Sequence, residues 1–259
     1  MRENNLKKLW QEDRVALNAW LTIPSAWTVE IMAHTGFDAL TIDMQHGLMG
    51  YQTALTMLQA MSSTSAVPLV RVPWNDPASI MRLLDAGAYG IVCPMINNRQ
   101  EAENFVQACR YPPLGQRSYG PIRANVYAGN DYFAAANQTV LTFAMIETRQ
   151  ALENLEAIVS TPGLDGLYVG TVDLSISLGL PEKVDITSAT VEAALKKIVK
   201  TAKEHGLITG IHVNSPNSTQ LLTEWGFQLL TLANDTPLLR GAANSVLEQT
   251  QQKLGYSQQ

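Results

Sequence analysis

Cysteine is scarce. Cys93 and Cys109 are the only two in 259 residues, too few for a disulfide framework or a zinc site. Cys93 lies within G-I-V-C-P-M and reads as a small core residue. Eighteen consecutive apolar residues occur nowhere, which leaves no span that a bilayer would accept. The opening residues M-R-E-N-N-L-K-K-L-W-Q-E-D-R are charged and hold no apolar signal segment, so a cytoplasmic protein is expected. Positive charge is in deficit as well. The formal net charge of −5 gives no electrostatic footprint for nucleic acid. The first apolar run is not followed by G-x-G-x-x-G, which weakens a doubly wound, dinucleotide-binding sheet. Lysine is missing from the carboxyl end of every candidate core strand, which argues against Schiff-base chemistry.

Apolar residues, by contrast, make up 46% of the chain, enough for a large core. They fall into eight short runs that read as strands: Leu17–Ile23, Ala39–Met44, Pro68–Val72, Gly90–Pro94, Leu141–Ile146, Gly166–Val169, Ile208–Val213 and Leu229–Leu232. Each is continuously apolar, as a strand buried on both faces should be. Helical patterns lie between them, at about Ser25–His34, Tyr51–Ser62, Pro77–Ala86, Asn98–Arg110, Gln150–Val159, Ser188–His205, Pro216–Trp225 and Pro237–Gln251. Four of the patterns close on a glycine, Gly36, Gly87, Gly206 or Gly226, suited to the left-handed residue that ends a helix. Eight strand–helix repeats in about 250 residues predict an α/β fold, a closed (β/α)₈ barrel of parallel strands. No linker divides the chain, so residues 1–259 are read as one domain.

Asp76 before Pro77, and Thr236 before Pro237, read as helix caps followed by the first helical residue. The longest interruption, Pro112–Gln138, is rich in Gly, Pro, Asn and aromatics; in a barrel such a loop is a lid or a subunit contact. The last helix carries Leu238, Leu239, Ala242, Ala243, Val246 and Leu247 as a wide apolar stripe. Such a stripe suits two placements. It could cover the sheet between strands eight and one, or it could be exchanged into a neighbouring subunit.

A barrel of this kind carries its site at the carboxyl ends of its strands. Polar groups collect there: Trp20 and Thr22 on strand one, Asp43 to Gly47 after strand two, Arg71 on strand three, and Glu147 after strand five. Gly170, Thr171 and Asp173 follow strand six, His212 and Asn214 end strand seven, and Asn234 and Asp235 end strand eight. Glu147 and Asp173 offer hard oxygen ligands to a divalent cation, with room for water and substrate. Either acid alone would pass as a first-turn helix acid favoured by the macrodipole. His46 is the natural acid–base group, since imidazole titrates near neutrality, and Asp43 could orient its ring. Arg71 on a strand end needs an anion, a buried acid such as Asp43 or a substrate carboxylate. The backbone N–H groups of Gly170–Thr171–Val172, opening a turn before a helix, could receive a carboxylate. His34 and His205 suit helix C-termini; His212 either lines the pocket or merely ends a strand.

At these residues the sequence resembles the HpcH/HpaI family of class II pyruvate aldolases, the 4-hydroxy-2-oxoheptanedioate aldolase group. The resemblance runs from about Trp20 to Leu239. It is carried by G-F-D-A-L-T-I-D-M-Q-H-G, V-P-L-V-R-V-P-W-N-D-P, I-E-T-R-Q-A-L-E-N-L and D-G-L-Y-V-G-T-V-D-L-S-I-S-L-G. It implies a (β/α)₈ barrel whose last helix is exchanged between subunits, assembled up to a homohexamer, with the Pro112–Gln138 loop near a partner's active-site rim. It implies metal ligands at Glu147 and Asp173, a His46–Asp43 dyad, an enolate-binding Arg71, and a pyruvate carboxylate received at Gly170 to Val172. The implied cofactor is a divalent cation, Mg²⁺, Mn²⁺ or Co²⁺, and the partners are a 2-oxo acid and an aldehyde. Two positions depart from the family pattern. Gln45 stands where D-x-E-H has its acid, and Met145 stands where a glutamine precedes the metal glutamate by two residues. Alternatives that keep the same site are oxaloacetate decarboxylation, a C–C lyase acting on a CoA thioester, and a non-catalytic 2-oxo acid-binding barrel.

Overall fold

The computed structural model describes residues 1–213 and 216–255. Eight parallel strands close into a barrel in sequence order, each paired with its chain neighbours and the last with the first. They are β1 (Ala16–Leu21), β2 (Ala39–Asp43), β3 (Val67–Arg71), β4 (Gly90–Cys93), β5 (Leu141–Ile146), β6 (Gly166–Val169), β7 (Ile208–His212) and β8 (Leu229–Asn234). The expected (β/α)₈ architecture is therefore present, and every strand lies within two residues of its sequence-predicted bounds. Gly36, Gly87, Gly206 and Gly226 all have positive φ, from 69° to 108°, as helix-ending glycines should.

Alternation along the strands divides the core in two. One face packs outward against the helices, with Leu21, Ile42, Val70, Ile91, Ile146 and Val169 among its members. The other fills the barrel, through Trp20, Leu69, Val92, Phe143, Met145 and Tyr168. The amino end of the barrel is plugged by a helix, Asn5–Gln11, which the charged opening of the sequence concealed. Its Leu6, Leu9 and Trp10 are buried, and the Trp10 indole N–H donates to the Gln228 carbonyl at 2.9 Å. Near the other end a buried chain of hydrogen bonds crosses the interior. Thr41 Oγ1 donates to Asn18 Oδ1, Asn18 Nδ2 donates to Thr231 Oγ1, and the Tyr168 hydroxyl meets Thr231 Oγ1 at 2.5 Å. Every member is satisfied, so the network fixes Tyr168 rather than weakening the core.

Two expectations about connections change. Residues 112–138 hold two helices, Ile122–Ala128 and Tyr132–Thr139. They link the helix Arg99–Cys109 to the start of β5, and so lie at the amino ends of the strands. Arg123 ties the segment to the carbonyls of Leu58 and Ala86, which sit near the ends of the helices that lead into β3 and β4. It cannot be a lid over its own chain's site. The last helix spans Asp235–Leu254 with Asn234 as its cap, so Thr236 is a helical residue and Pro237 the third. Proline is tolerated there because first-turn N–H groups have no partner inside the helix. Asp235, expected at the site, is used in the frame instead. Its buried carboxylate accepts from the backbone N–H of Thr22, Ile23 and Thr236 and from the Thr22 hydroxyl. Asp76 caps its helix as expected, accepting from Ser79 N at 2.8 Å.

Beyond Asp235 the last helix buries no residue. Leu239 and Val246 are each 66% exposed. The stripe does not cover the barrel wall between β8 and β1, where Leu17 also stands open to solvent.

Candidate active site

A cavity of about 240 Å³ opens at the carboxyl ends of the strands. It brings together Trp20, Asp43, His46, Arg71, Gly170, Thr171, Val172 and Asp173, residues contributed by β1, β2, β3 and the segment after β6. Asn214 lies outside the described residues.

Asp43 is the most heavily bonded group in the cavity. It is the register partner of Arg71 across β2 and β3, which places acid and guanidinium side by side. Arg71 Nε donates to Oδ1 at 2.8 Å and Nη2 to Oδ2 at 2.6 Å, a two-pronged pair. The Trp20 side chain nearby also favours its ionised form. Burial pushes the Asp43 carboxyl upward, but the hydrogen bonds and charge of Arg71 outweigh it and hold the group below the usual carboxylate range. Asp43 is thus ionised at neutral pH, and it is the anion that Arg71 required. Its relation to His46 differs from a ring-to-carboxylate dyad. Oδ1 accepts the backbone N–H of Gln45 at 3.0 Å and of His46 at 3.3 Å. Among the described residues no hydrogen bond joins it to the imidazole. Asp43 thus holds His46 through its backbone N–H, and His46 lines the cavity.

Arg71 in turn lies over the Trp20 ring at 4.9 Å. Trp20 rests on Tyr168 with centroids 5.4 Å apart and meets the His212 ring edge-on at 5.1 Å. His212 therefore belongs to the cavity wall, which its strand-end position left open. Asn234, register partner of Trp20 on β8, also lines the cavity and keeps a buried Oδ1 without a partner.

Glu147 sits behind the cavity wall, 2% exposed. Its Oε1 accepts the Met95 N–H at 2.7 Å. Burial raises its pKa; the Met95 N–H opposes that, the nearby Asp173 charge adds to it, and Arg71 opposes it, with a net upward shift. Space for this carboxylate depends on Gly170. A Cβ there would stand 2.6 Å from Glu147 Oε2 and 3.2 Å from Met145 Cε. The reason is room rather than conformation, since Gly170 has an ordinary φ of −85°.

A buried carboxylate whose ionisation is opposed first by burial and then by the charge of Asp173 is one that a hard divalent cation, held with Asp173, would relieve. The space kept open by Gly170 beside Glu147 Oε2 fits the same use. Among the described residues no group of three or more His, Cys, Asp or Glu could hold a metal ion. A cation on Glu147 and Asp173 would therefore complete its shell from substrate and water. The two departures noted in the sequence lie close by. Gln45 keeps a buried Oε1 without a partner, and Met145 borders the cavity.

Residues 17–242 match the family model described as HpcH/HpaI aldolase/citrate lyase. The hydroxypyruvate/pyruvate aldolase of Rhizorhabdus wittichii is 40% identical over 244 residues, covering 94% of this chain and 97% of its own. The 4-hydroxy-2-oxo-heptane-1,7-dioate aldolase of Escherichia coli is 35% identical over 247 residues, with 94% of both chains covered. In three dimensions, an HpcH/HpaI aldolase/citrate lyase family protein from Burkholderia cenocepacia superposes with a TM-score of 0.88 at 31% identity. That match covers 96% of this chain and 99% of the other.

Proposed function

Because this chain belongs to the HpcH/HpaI aldolase/citrate lyase family, we propose that its cavity splits 4-hydroxy-2-oxo acids into pyruvate and an aldehyde, and runs the reverse addition. The protein is a carbon–carbon lyase. The observation that carries the reading is one cavity lined by Asp173, Arg71 and His46, with the buried Glu147 behind its wall and near enough to feel the Asp173 charge. The names of the two curated relatives, both aldolases, support the 2-oxo acid as substrate class.

Glu147 and Asp173 hold the divalent cation, which when bound supplies Lewis acidity to the substrate's C2 carbonyl. The backbone N–H groups of Gly170 to Val172 receive the C1 carboxylate. Trp20, held between Arg71 and Tyr168, walls the substrate in. His46 takes the C4 hydroxyl proton as C3–C4 breaks and the C4 carbonyl of the aldehyde forms. The bonding pair passes toward the C2 oxygen, where the Arg71 guanidinium meets the developing charge. Asp43 keeps that guanidinium in place. Return of a proton to C3 completes pyruvate.

Racemic 4-hydroxy-2-oxo acids, incubated with and without a chelator, test the reading. Pyruvate is expected to appear only without chelator and to return when Mg²⁺, Mn²⁺ or Co²⁺ is restored. Full turnover in excess chelator would falsify the metal-dependent assignment.

Assembly follows from the uncovered stripe. We assign the last helix to a neighbouring subunit's β8–β1 wall, giving at least a dimer and, with trimerisation of dimers, a hexamer. The exposed Tyr119, Ile122 and Val126 of the 112–138 segment add apolar surface for subunit contact. Light scattering is expected to return a multiple of the 28.3 kDa chain mass. An active species of single-chain mass would rule the exchange out.

A further inference from the structure

The loop after β4 holds an unusual residue. Met95 has φ of +57°, one of two non-glycine residues with positive φ among those described. For an L residue with a side chain the left-handed region is disfavoured, and such conformations persist where surrounding contacts over-determine them. In this conformation the Met95 N–H reaches Glu147 Oε1 at 2.7 Å.

Asn97 supplies the surrounding contacts. Its Nδ2 donates to the Met95 carbonyl at 2.8 Å. Its Oδ1 accepts the hydroxyl of Thr148, the residue after Glu147. Its own carbonyl accepts from Asn154 Nδ2 at 2.9 Å, and its N–H donates to Glu101 Oε2 at 2.6 Å. Glu101 N in turn donates to the side chain of the cap residue Asn98 at 3.0 Å, which closes the start of the following helix. The Asn97 side chain thus spans two loops. One end holds the turn that presents the Met95 N–H, and the other holds the backbone next to the carboxylate receiving it. Neither group of this side chain lines the cavity.

We propose that Asn97 is a positioning residue for the cation site: by bridging the Met95 carbonyl and the Thr148 hydroxyl, it keeps Met95 left-handed and thereby aims Glu147 Oε2 toward the cation. The proposal rests on the reading of Glu147 as a cation ligand. It adds that the geometry of this ligand is set by an amide one loop away, which presents a backbone donor and touches neither substrate nor metal. Outer partners of metal ligands are worth about 10- to 100-fold in affinity, and that is the scale expected here.

The test is calorimetric titration of the purified protein with Mn²⁺. Asn97→Ala is expected to weaken binding about 10-fold or more, with kcat at saturating Mn²⁺ within a few-fold of wild type. Thr148→Ser, which keeps the hydroxyl, is expected to bind as wild type does. Glycine adopts positive φ without a Cβ penalty. In a Met95→Gly background the loss caused by Asn97→Ala should therefore shrink to about threefold or less. Wild-type affinity in Asn97→Ala overturns the proposal, and so does an undiminished loss in the Met95→Gly background. A loss matched by a collapsed melting temperature in both backgrounds also overturns it, because the residue then serves the fold at large. A wild type that binds no Mn²⁺ overturns the reading of Glu147 itself, and the proposal with it.

Discussion

Glu147→Ala and Asp173→Ala are each expected to abolish pyruvate formation and cation binding while circular dichroism and the melting temperature stay near wild type. A Lewis acid at the carbonyl is worth several kcal/mol of transition-state stabilisation, so the expected fall in kcat/KM is about 10³-fold or more. The two variants differ in one respect. Asp173 is exposed and its loss leaves the fold alone. Glu147 is 2% exposed, and its removal relieves an upward-shifted buried acid while orphaning only the Met95 N–H. Glu147→Ala is therefore no less stable than Asp173→Ala by more than about 1–3 kcal/mol, the cost of one unsatisfied buried donor. Retained cation affinity in either variant, measured by titration calorimetry, would move the metal elsewhere.

The acid–base group gives the second large effect. His46→Ala should lower kcat by about 10²–10⁴-fold, the range for a lost proton-transfer group. Pyruvate affinity should be little changed, because the groups assigned to the carboxylate and the C2 oxygen remain. Arg71 behaves oppositely. Its removal strands Asp43, a buried anion, and costs about 3–5 kcal/mol of stability. The cleaner variant is Arg71→Lys, which keeps the charge and loses the two-pronged pairing. It is expected to weaken pyruvate binding more than His46→Ala does. If His46→Ala left kcat and the exchange of pyruvate methyl protons unchanged, the proton would travel by another residue.

The barrel was legible because its strands speak locally. Each is a continuous apolar run, and four of the helices before them end on a glycine whose positive φ the sequence already required. Segments without such marks were harder. The opening helix shows its apolar side only as Leu6, Leu9 and Trp10, within a run of charge. The Ile122–Ala128 and Tyr132–Thr139 helices are hidden by the Gly, Pro and Asn around them. In the cavity, Asp43, His46, Arg71 and Asp173 were legible as polar residues at strand ends. Which of two anions Arg71 would take, Asp43 or a substrate carboxylate, was left open. The register of β2 on β3 gives Asp43 to Arg71, and no one-dimensional spacing reports that register. Met95 and Asn97 were invisible for a similar reason. Their contribution lies in a backbone angle and in hydrogen bonds between residues up to 57 apart in the chain.

The uncovered final helix has a further consequence, one of mass action. Burying a leucine or valine is worth about 1.5–3 kcal/mol relative to leaving it in water. A lone chain forgoes that gain at Leu238, Leu239, Val246 and Leu247, all of them exposed. Under the proposed exchange, the second copy that covers this stripe binds the folded chain and not the unfolded one, so stability ceases to be a property of the single molecule. The exchange therefore predicts a melting temperature that climbs with protein concentration. On that reading the enzyme in dilute solution loses its structural reserve before it loses any residue of its active site.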